Sequence, residues 1–215
     1  MSTAGTGVTA SRPYPGAATG FSAATVVEAA GNVGAVAHEI KPVHPSFKVW
    51  GPAVTVATPS GDNLWIHRAL ATADPGSVLV VSTGNGEPAG YWGEILSRAG
   101  RARHLAGVVL DGFARDAERL AEVGFPVFAR GLCIRGTSKD RDGAGSVGRN
   151  VTVGGVVVRP GDLVVGDADG VVVVAAARVD QVLAAAAERD RKEARIMEQI
   201  RQGMTTVNIF ELGDD

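Results

Sequence analysis

The sequence has one cysteine, few aromatic residues, little net charge and no long apolar run, and each shortage excludes a class of protein. Cys133 alone cannot form an intrachain disulfide or a multi-cysteine metal site. A net charge of −2 without a lysine or arginine block disfavours nucleic acid and anionic membranes as partners. No apolar run approaches the roughly 18 residues of a membrane-spanning helix, and the start lacks the features of a signal peptide. We therefore expect a soluble cytoplasmic protein without a nucleic-acid or membrane partner.

Small apolar residues are what the chain has in abundance. Hydrophobic residues make up 45% of it and aromatic residues only 5%, with 29 glycines. A surplus of valine and glycine favours strands joined by tight turns. The length of 215 residues is enough for one domain with a sizeable core. We expect a flexible N-terminal arm over residues 1–20, which is rich in small residues and proline, and a single domain over 21–215.

Hydrophobic periodicity and turn residues predict alternating helices and strands up to about residue 150, followed by a β meander and a long amphipathic helix. The predicted helices cover 21–34, with Ser22 or Thr25 as N-cap, 60–76, 91–103, 115–124 and, at the C-terminus, 179–203. The predicted strands cover 49–58, 77–82, 106–111 and 125–130, with the meander over 150–175. This order favours an α/β fold with mixed sheets and helices outside.

A glycine loop follows the predicted strand 77–82. It contains Gly84, Gly86 and Gly90, and the next strand ends in Asp111. Three explanations are open: a Rossmann-type nucleotide site, a plain turn, or a site for a smaller anion at the start of the 91–103 helix. The glycine spacing departs from the nucleotide fingerprint, and the later meander leaves too few βα units for a doubly wound sheet.

An arginine and an aspartate stand side by side after the predicted strand 106–111. A helix that begins at Arg115–Asp116 would place both side chains at the carboxyl end of a buried strand, where sites on α/β sheets lie. Arginine can bind a carboxylate through two hydrogen bonds, and aspartate is a good oxygen ligand for a divalent cation. The alternative is that Asp116 favours the first turn of a helix, worth about 0.3–1 kcal/mol. That alternative leaves Arg115 unexplained.

Other chemistries have less support. Glu94 and Glu193 could complete a metal shell with Asp116, but their spacing is not diagnostic, and each could be a solvated helix charge. The four histidines form no HExxH pattern and no Gly-x-Ser-x-Gly segment occurs. The lysines lie in polar segments or at a strand border, which favours metal catalysis over imine catalysis for any carbon–carbon bond chemistry.

Several blocks together resemble one family. They are SAATVVEAAGNVG, GPAVTV, GDNLWIHRAL, GYWGEILSRAGRARHLAGVVLDGFARDAERLAEVGFPVFARG, RGTSKD and VGGVVVRPGDLVVGDADGVVVV. Their order resembles the regulator of ribonuclease E activity A-like family over about residues 20–210. Its enzymatic members are 4-hydroxy-4-methyl-2-oxoglutarate/4-carboxy-4-hydroxy-2-oxoadipate aldolases, which also decarboxylate oxaloacetate. The resemblance implies an α-β-β-α sandwich with a swivelling-domain-like mixed β core, assembled as a homotrimer or homohexamer with sites between subunits.

The resemblance also implies roles for residues around the Arg–Asp pair. Asp116 is expected to bind Mg²⁺ or Mn²⁺ directly, and Arg115 to contact the keto-acid substrate. The helix start at Gly93 and the backbone N–H groups of Ile95 and Leu96 are expected to bind the substrate carboxylate.

Two further acids have expected roles. Glu94 matches an acid that holds the metal through water, and Glu193 is expected to support the metal from the neighbouring subunit. One position departs from the family. Aldolase members often have an acid three residues after the aspartate, where this chain has Arg119, with Glu118 one step early. On a helix that shift moves the carboxylate by about 100° around the axis.

The resemblance therefore implies a metal-dependent lyase of the pyruvate-aldolase and oxaloacetate-decarboxylase type. Retro-aldol cleavage and decarboxylation both develop a pyruvate enolate, which a chelated divalent cation stabilises as a Lewis acid. A non-catalytic regulator that binds a ribonuclease or helicase is the main alternative. A methyltransferase is the third.

Overall fold

A computed structural model of the chain describes Tyr14 and residues 20–84 and 88–213. Most of the predicted N-terminal arm lies outside the described residues, as does Gly86 of the glycine loop. Tyr14 belongs to the arm, and its hydroxyl donates a hydrogen bond to the backbone carbonyl of Gly161. This described residue of the arm therefore contacts the folded part of the chain.

Helices and strands alternate through most of the described chain. The helices are α1 (Ala23–Ala29), α2 (Leu64–Thr72), α3 (Glu94–Ala102), α4 (Ala117–Val123), α5 (Val179–Arg201) and α6 (Thr206–Ile209). The strands up to residue 132 are β1 (Lys41–Pro42), β2 (Val49–Ala57), β3 (Val78–Ser82), β4 (Gly90–Trp92), β5 (Gly107–Ala114) and β6 (Val127–Leu132). The later strands are β7 (Ser146–Val147), β8 (Val151–Val153), β9 (Val156–Val158), β10 (Leu163–Asp167) and β11 (Gly170–Val174).

The strands form a mixed sheet in the order β1-β6-β5-β3-β2-β10-β11, with β4 paired to β5 and β7 paired to β2. Strands β2, β3, β5 and β6 run parallel, while β1, β7, β10 and β11 pair antiparallel. Strands β8 and β9 form a separate hairpin. The parallel centre is rich in Val, Leu and Ala, as is typical of strands buried on both faces.

Helices cover the sheet on both sides. A large core joins the parallel strands to residues of α2, α3, α4 and the β8–β9 hairpin, and a smaller core packs α1 and α5 against β10 and β11. Side chains of β10 and β11 alternate between the two cores, as the two-residue strand period requires. Val164, Val171 and Val173 face the large core, and Leu163, Val165, Val172 and Val174 face the smaller one. The predicted α/β fold with a mixed β core is confirmed.

Two local predictions need correction. The segment 91–93 was expected to be helical, but Gly90–Trp92 forms β4, and α3 begins at Glu94. Strand β5 continues three residues beyond Asp111, to Ala114. The two differences have one cause, because β4 pairs with the extension of β5 and buries Trp92, which stacks on Phe125. No helix of the described residues has the length and apolar content needed to cross a membrane.

Candidate functional site

Strand β5 ends in a change of backbone direction that positions Arg115 and Asp116. Ala114 is fully buried, and Asp116 has a left-handed conformation (φ 63°, ψ 39°) directly before α4. Aspartate is one of the few residues other than glycine that tolerate this conformation. Its side chain makes no capping hydrogen bond to α4. Capping of its own helix therefore does not account for Asp116.

The Asp116 carboxylate binds the start of a different helix. Its Oδ2 accepts a hydrogen bond from the backbone N–H of Glu94 at 3.0 Å. Gly93 is the N-cap residue of α3, and a Cβ built on it would lie 2.4 Å from Asp116 Oδ2. Because glycine has no Cβ, residue 93 leaves space for the Asp116 carboxylate at the start of α3.

The first turn of α3 offers backbone donors beside this carboxylate. The N–H groups of Ile95 and Leu96 have no intrahelical acceptor, because they belong to the first turn. Together with the helix dipole they favour a negatively charged group. Leu96 is buried in the core, whereas the Ile95 side chain is 77% exposed. The helix start is thus anchored on one side and open on the other.

Arg115 lies next to the same helix start. Its backbone N–H donates to the carbonyl of Trp92 at 2.8 Å, and its Cβ and Cδ lie 3.0 Å from where a Cβ of Gly90 would be. Its Nε is 3.9 Å from Asp116 Oδ2, and the side chain is 41% exposed. A half-exposed pair at this distance is worth only about 0–1 kcal/mol. The guanidinium can therefore turn to an anionic ligand at little cost.

These groups line one cleft of about 230 Å³. The predicted residues that line it are Gly93, Glu94, Ile95, Leu96, Arg115 and Asp116. The remaining lining residues are Gly90, which belongs to the glycine loop, and four that the sequence did not single out, Asn63, His67, Tyr91 and Lys139. Most of the predicted residues are therefore close together, although they come from two separate segments of the chain.

The start of α2 supplies part of the wall that the sequence did not reveal. Asn63 donates from Nδ2 to the carbonyl of Tyr91 at 3.0 Å, and the Tyr91 hydroxyl accepts from the N–H of Gly61 at 2.8 Å. Burial lowers the pKa of His67, and the nearby Lys139 ammonium lowers it further, against an opposing effect of Asp62. The lowered pKa favours the neutral form of the His67 imidazole. Asn63 and His67 belong to the block GDNLWIHRAL and Lys139 to RGTSKD, while Tyr91 belongs to the longer block that begins GYWGEIL.

The acids of the cleft are chemically suited to a hard divalent cation. Asp116 and Glu94 both line it, and a carboxylate oxygen is a preferred ligand of Mg²⁺ and Mn²⁺. One oxygen of Glu94 is bound by Arg98 at 2.8 Å. Within the described part of the chain, no group of three or more His, Cys, Asp or Glu side chains could hold a metal. Two carboxylates are enough for Mg²⁺, because this ion commonly retains several water ligands and takes its other ligands from the substrate.

Glu193 does not line this cleft. It lies on α5 and pairs with Arg189 at 3.0 Å, and Arg189 also pairs with Glu28 of α1. The expected role of Glu193 was in the site of a neighbouring subunit. Its position in one chain leaves that role a prediction.

Arg119, which stands where aldolase members often have an acid, lies at the rim of the cleft. Glu118 and Arg119 line a wider depression outside the cleft, together with Glu94, Ile95, Asp116 and Ala117. Arg119 pairs with Glu122 at 2.8 Å, and its hydrogen bond to Glu122 raises the pKa of the guanidinium. A carboxylate, that of Glu118, is thus still present at the rim, although one residue earlier than in the family pattern.

A nucleotide site at the glycine loop would need Asp111 as the acid that binds the ribose, but Asp111 has other partners. The Asp111 carboxylate accepts hydrogen bonds from Arg130 at 2.5 Å and from the N–H of Gly154 at 2.6 Å. It is therefore committed to a structural contact with the β8–β9 hairpin. Gly90 lies in β4, so a strand separates the loop from α3. This is not the strand–loop–helix order that holds a dinucleotide phosphate.

The fold and the cleft together define an α/β protein with a site suited to a small anion and a divalent cation. The family model described as Aldolase/RraA, RraA-like, matches residues 23–173, and the chain belongs to this family. The predicted family is confirmed.

Named relatives differ in their assigned activities. The chain is 38% identical over 144 residues to "Putative 4-hydroxy-4-methyl-2-oxoglutarate aldolase" of Halalkalibacterium halodurans, a match that covers 67% of this chain and 68% of that protein. The crystal structure of Streptomyces coelicolor RraAS2, described as an unusual member of the RNase ES inhibitor RraA protein family, has a TM-score of 0.71. It is 30% identical, and the match covers 82% of this chain and 91% of that chain.

A third relative bears another name. A Geobacillus kaustophilus structure named S-adenosylmethionine: 2-dimethylmenaquinone methyltransferase has a TM-score of 0.58 at 33% identity, and the match covers 66% of this chain and 86% of that chain. One fold therefore carries three activity names. The choice among them depends on the chemistry of the site.

Proposed function

We propose that the chain is a divalent-metal-dependent lyase. It cleaves 4-hydroxy-2-oxo diacids by a retro-aldol reaction that releases pyruvate, and it decarboxylates oxaloacetate. The observation that carries the proposal is the shared cleft of Arg115, Asp116 and the first turn of α3. The aldolase name of the 38% identical relative supports the same reaction class. Residues 21–215 act as one catalytic domain in this proposal, and Glu193 of a neighbouring subunit supports the site in a homotrimer or homohexamer.

The two reactions share their difficult step. In each, the C3–C4 bond breaks and its electron pair stays on the pyruvate fragment as an enolate. In the retro-aldol reaction the C4 hydroxyl loses its proton and C4 becomes a carbonyl carbon, whereas in decarboxylation C4 leaves as CO₂. A group that stabilises the negative charge of the enolate therefore accelerates both reactions.

The residues of the cleft suit this step. The N–H groups of Ile95 and Leu96 bind the C1 carboxylate at the start of α3. Arg115 donates to the keto acid and keeps its charge at any working pH. Asp116 would hold Mg²⁺ or Mn²⁺ directly and Glu94 would hold it through water, and the bound cation would supply Lewis-acid polarisation of the keto group.

Pyruvate release tests the proposal. Purified protein with Mg²⁺ or Mn²⁺ should release pyruvate from oxaloacetate and from 4-hydroxy-4-methyl-2-oxoglutarate, and a chelator should abolish the activity. We expect Asp116→Asn to lower kcat/KM by about 100-fold or more, the scale for loss of one essential electrostatic group. The exposed Asp142, which does not line the cleft, gives the matched control Asp142→Asn with unchanged activity. Absence of pyruvate from both substrates with both metals would refute the proposal.

A non-catalytic regulator is the second candidate, favoured by the inhibitor name of the Streptomyces relative. Such a regulator would bind a ribonuclease or helicase through its surface. Binding that needs no metal and survives Asp116→Asn would support it. The methyltransferase name has less support in the site, because Asp111 is committed to Arg130 and Gly154. Measurable binding of S-adenosylmethionine would revive it.

A further inference from the structure

We propose that Lys139 binds the second carboxylate of the substrate, so that the cleft selects 2-oxo dicarboxylates over 2-oxo monocarboxylates. This inference rests on the proposed function, because it assigns the far end of the same substrate. Arg115 and the start of α3 bind only the part of the substrate that becomes pyruvate. A diacid has a further negative charge, and its burial would be costly without a partner of opposite charge.

Lys139 lines the same cleft as Arg115, although 24 residues separate them in the sequence. The loop after β6 connects the two positions in space. A Cβ built on Gly136 would lie 3.6 Å from Nη1 of Arg115. The loop therefore passes the Arg115 guanidinium and reaches Lys139 three residues later. Two cations of different segments thus border one small cleft.

The backbone on both sides of Lys139 is fixed by a buried acid. Asp62, which is 3% exposed, accepts hydrogen bonds at Oδ2 from the Ser138 hydroxyl at 2.8 Å and from the N–H of Asp140 at 2.6 Å. Its Oδ1 accepts from the N–H of Leu64 at 2.7 Å. One carboxylate thereby ties the loop to the start of α2. The residue between the two tied positions is Lys139.

Backbone hydrogen bonds reinforce this attachment. The N–H of Ser138 donates to the carbonyl of Gly61 at 2.7 Å, and the N–H of Asn63 donates to the carbonyl of Ser138 at 3.2 Å. A lysine on a loop held in this way loses less backbone entropy on binding a ligand than one on a free loop. The attachment therefore favours a binding role over that of an ordinary solvated lysine.

The other side chains of the cleft are not suited to bind the second carboxylate or are assigned to other groups. Burial and the Lys139 charge lower the pKa of His67 and so favour its neutral form, which is a weaker partner for a carboxylate than an ammonium group. Arg115 is assigned to the keto acid, and Asp116 and Glu94 are acids suited to the cation. Lys139 therefore remains as the cation for the far end of a diacid.

A matched pair of inert ligands tests the inference. 2-Oxoglutarate and 2-oxopentanoate have the same chain length and differ in the second carboxylate. Isothermal titration calorimetry at fixed Mg²⁺ should show that wild-type protein binds 2-oxoglutarate more tightly. Lys139→Gln should weaken 2-oxoglutarate by about tenfold, the size of one charge-assisted hydrogen bond, and leave 2-oxopentanoate within about twofold. Lys139→Arg should restore most of the preference, since it restores the positive charge.

Arg141→Gln removes an exposed charge of the same loop that does not line the cleft, and it should change neither affinity. Equal weakening of both acids by Lys139→Gln, an unchanged preference, or no binding of either acid to wild-type protein would overturn the inference. Neither ligand needs to be cleaved. A protein that shows the lysine-dependent preference without releasing pyruvate would therefore refute the proposed lyase and leave the diacid site standing.

Discussion

At the scale of single residues, Gly93 controls access of Asp116 to the start of α3. A Cβ at residue 93 would lie 2.4 Å from Asp116 Oδ2 and 3.1 Å from Cγ of Arg115. The Asp116 carboxylate is the end of a side chain and can rotate away, so Gly93→Ala should fold. We expect the variant to lose about tenfold or more in kcat/KM, because misplacement of a catalytic group by about 1 Å can cost 100-fold. Pyruvate release and thermal unfolding measure the two effects.

Gly100→Ala provides the control within the same helix. A Cβ at residue 100 would lie 2.7 Å from the ring of Phe125, which is buried and cannot move aside. This variant should lose stability, by about 1–3 kcal/mol as overpacked cores do, while folded protein keeps its activity. If Gly93→Ala instead behaved like Gly100→Ala, residue 93 would matter for packing alone.

At this scale, one part of the cleft could be predicted from the sequence and another part could not. Arg115 and Asp116 could be predicted because adjacent residues at a strand end must stay together in space. Lys139 and Asn63 could not, because their place in the cleft depends on hydrogen bonds across 76 and 78 residues of sequence. The local periodicity of a sequence gives no information on contacts between residues so far apart.

At the scale of elements, helices α1 to α5 and the long strands were predictable because burial imposes a period on their sequences. Strand β4 was not, because three residues are too few to show one, and Gly90–Trp92 merges with the helical pattern of α3. The extension of β5 could not be predicted either, because it depends on pairing with β4. The site lies where these two elements meet. The part of the fold hardest to predict is thus the part that shapes the cleft.

The attachment of the loop after β6 to α2 makes stability depend on pH. Burial raises the pKa of Asp62, but the hydrogen bonds from Asp140, Leu64 and Ser138 and the Lys139 charge outweigh it and lower the pKa. A carboxyl group whose pKa is lower in the folded state contributes stability above its unfolded pKa of about 4. This contribution is lost as the pH falls through the folded pKa.

Asp62→Asn tests the attachment. The amide keeps one oxygen, so the N–H of Asp140 or that of Leu64 would face an N–H₂ group and lose its acceptor, at a cost of about 1–3 kcal/mol. Urea unfolding should show this loss at pH 7 and a smaller difference from wild type at pH 3. Asp142→Asn, an exposed change in the same loop, should stay within about 0.5 kcal/mol at both values. A pH-independent loss would mean that the ionised form of Asp62 contributes nothing.

At the scale of the whole molecule, α5 extends beyond the surface that it covers. Its buried residues, Val179, Val182 and Ala186, all lie in its first half. The exposed apolar side chains of its second half and of the segment after it are Met197, Ile200, Met204, Val207, Phe210 and Leu212. Exposed apolar residues that gather in one region are typical of an interaction surface. In the proposed homotrimer or homohexamer, with a mass three or six times 22.0 kDa, a neighbouring subunit would cover this surface.

Mixing two inactive variants tests whether subunits share the site. Asp116→Asn removes the proposed metal ligand of one subunit, and Glu193→Gln removes the acid that its neighbour is proposed to contribute. Each variant alone should be nearly inactive. When the two are unfolded and refolded together, random pairing places an intact Asp116 beside an intact Glu193 in about a quarter of the sites of a symmetric assembly. About a quarter of wild-type activity should therefore return.

The assembled mass, measured by light scattering, must be the same for both variants and the mixture, so that loss of assembly is not mistaken for loss of chemistry. Glu188→Gln serves as the control, since Glu188 is an exposed acid earlier on α5 that pairs with Arg191. It should be active alone. If Glu193→Gln were fully active, or if the mixture stayed inactive at the normal mass, Glu193 would not belong to the neighbouring site. Its role would then be the ion pair with Arg189, which also pairs with Glu28 and so attaches α5 to α1.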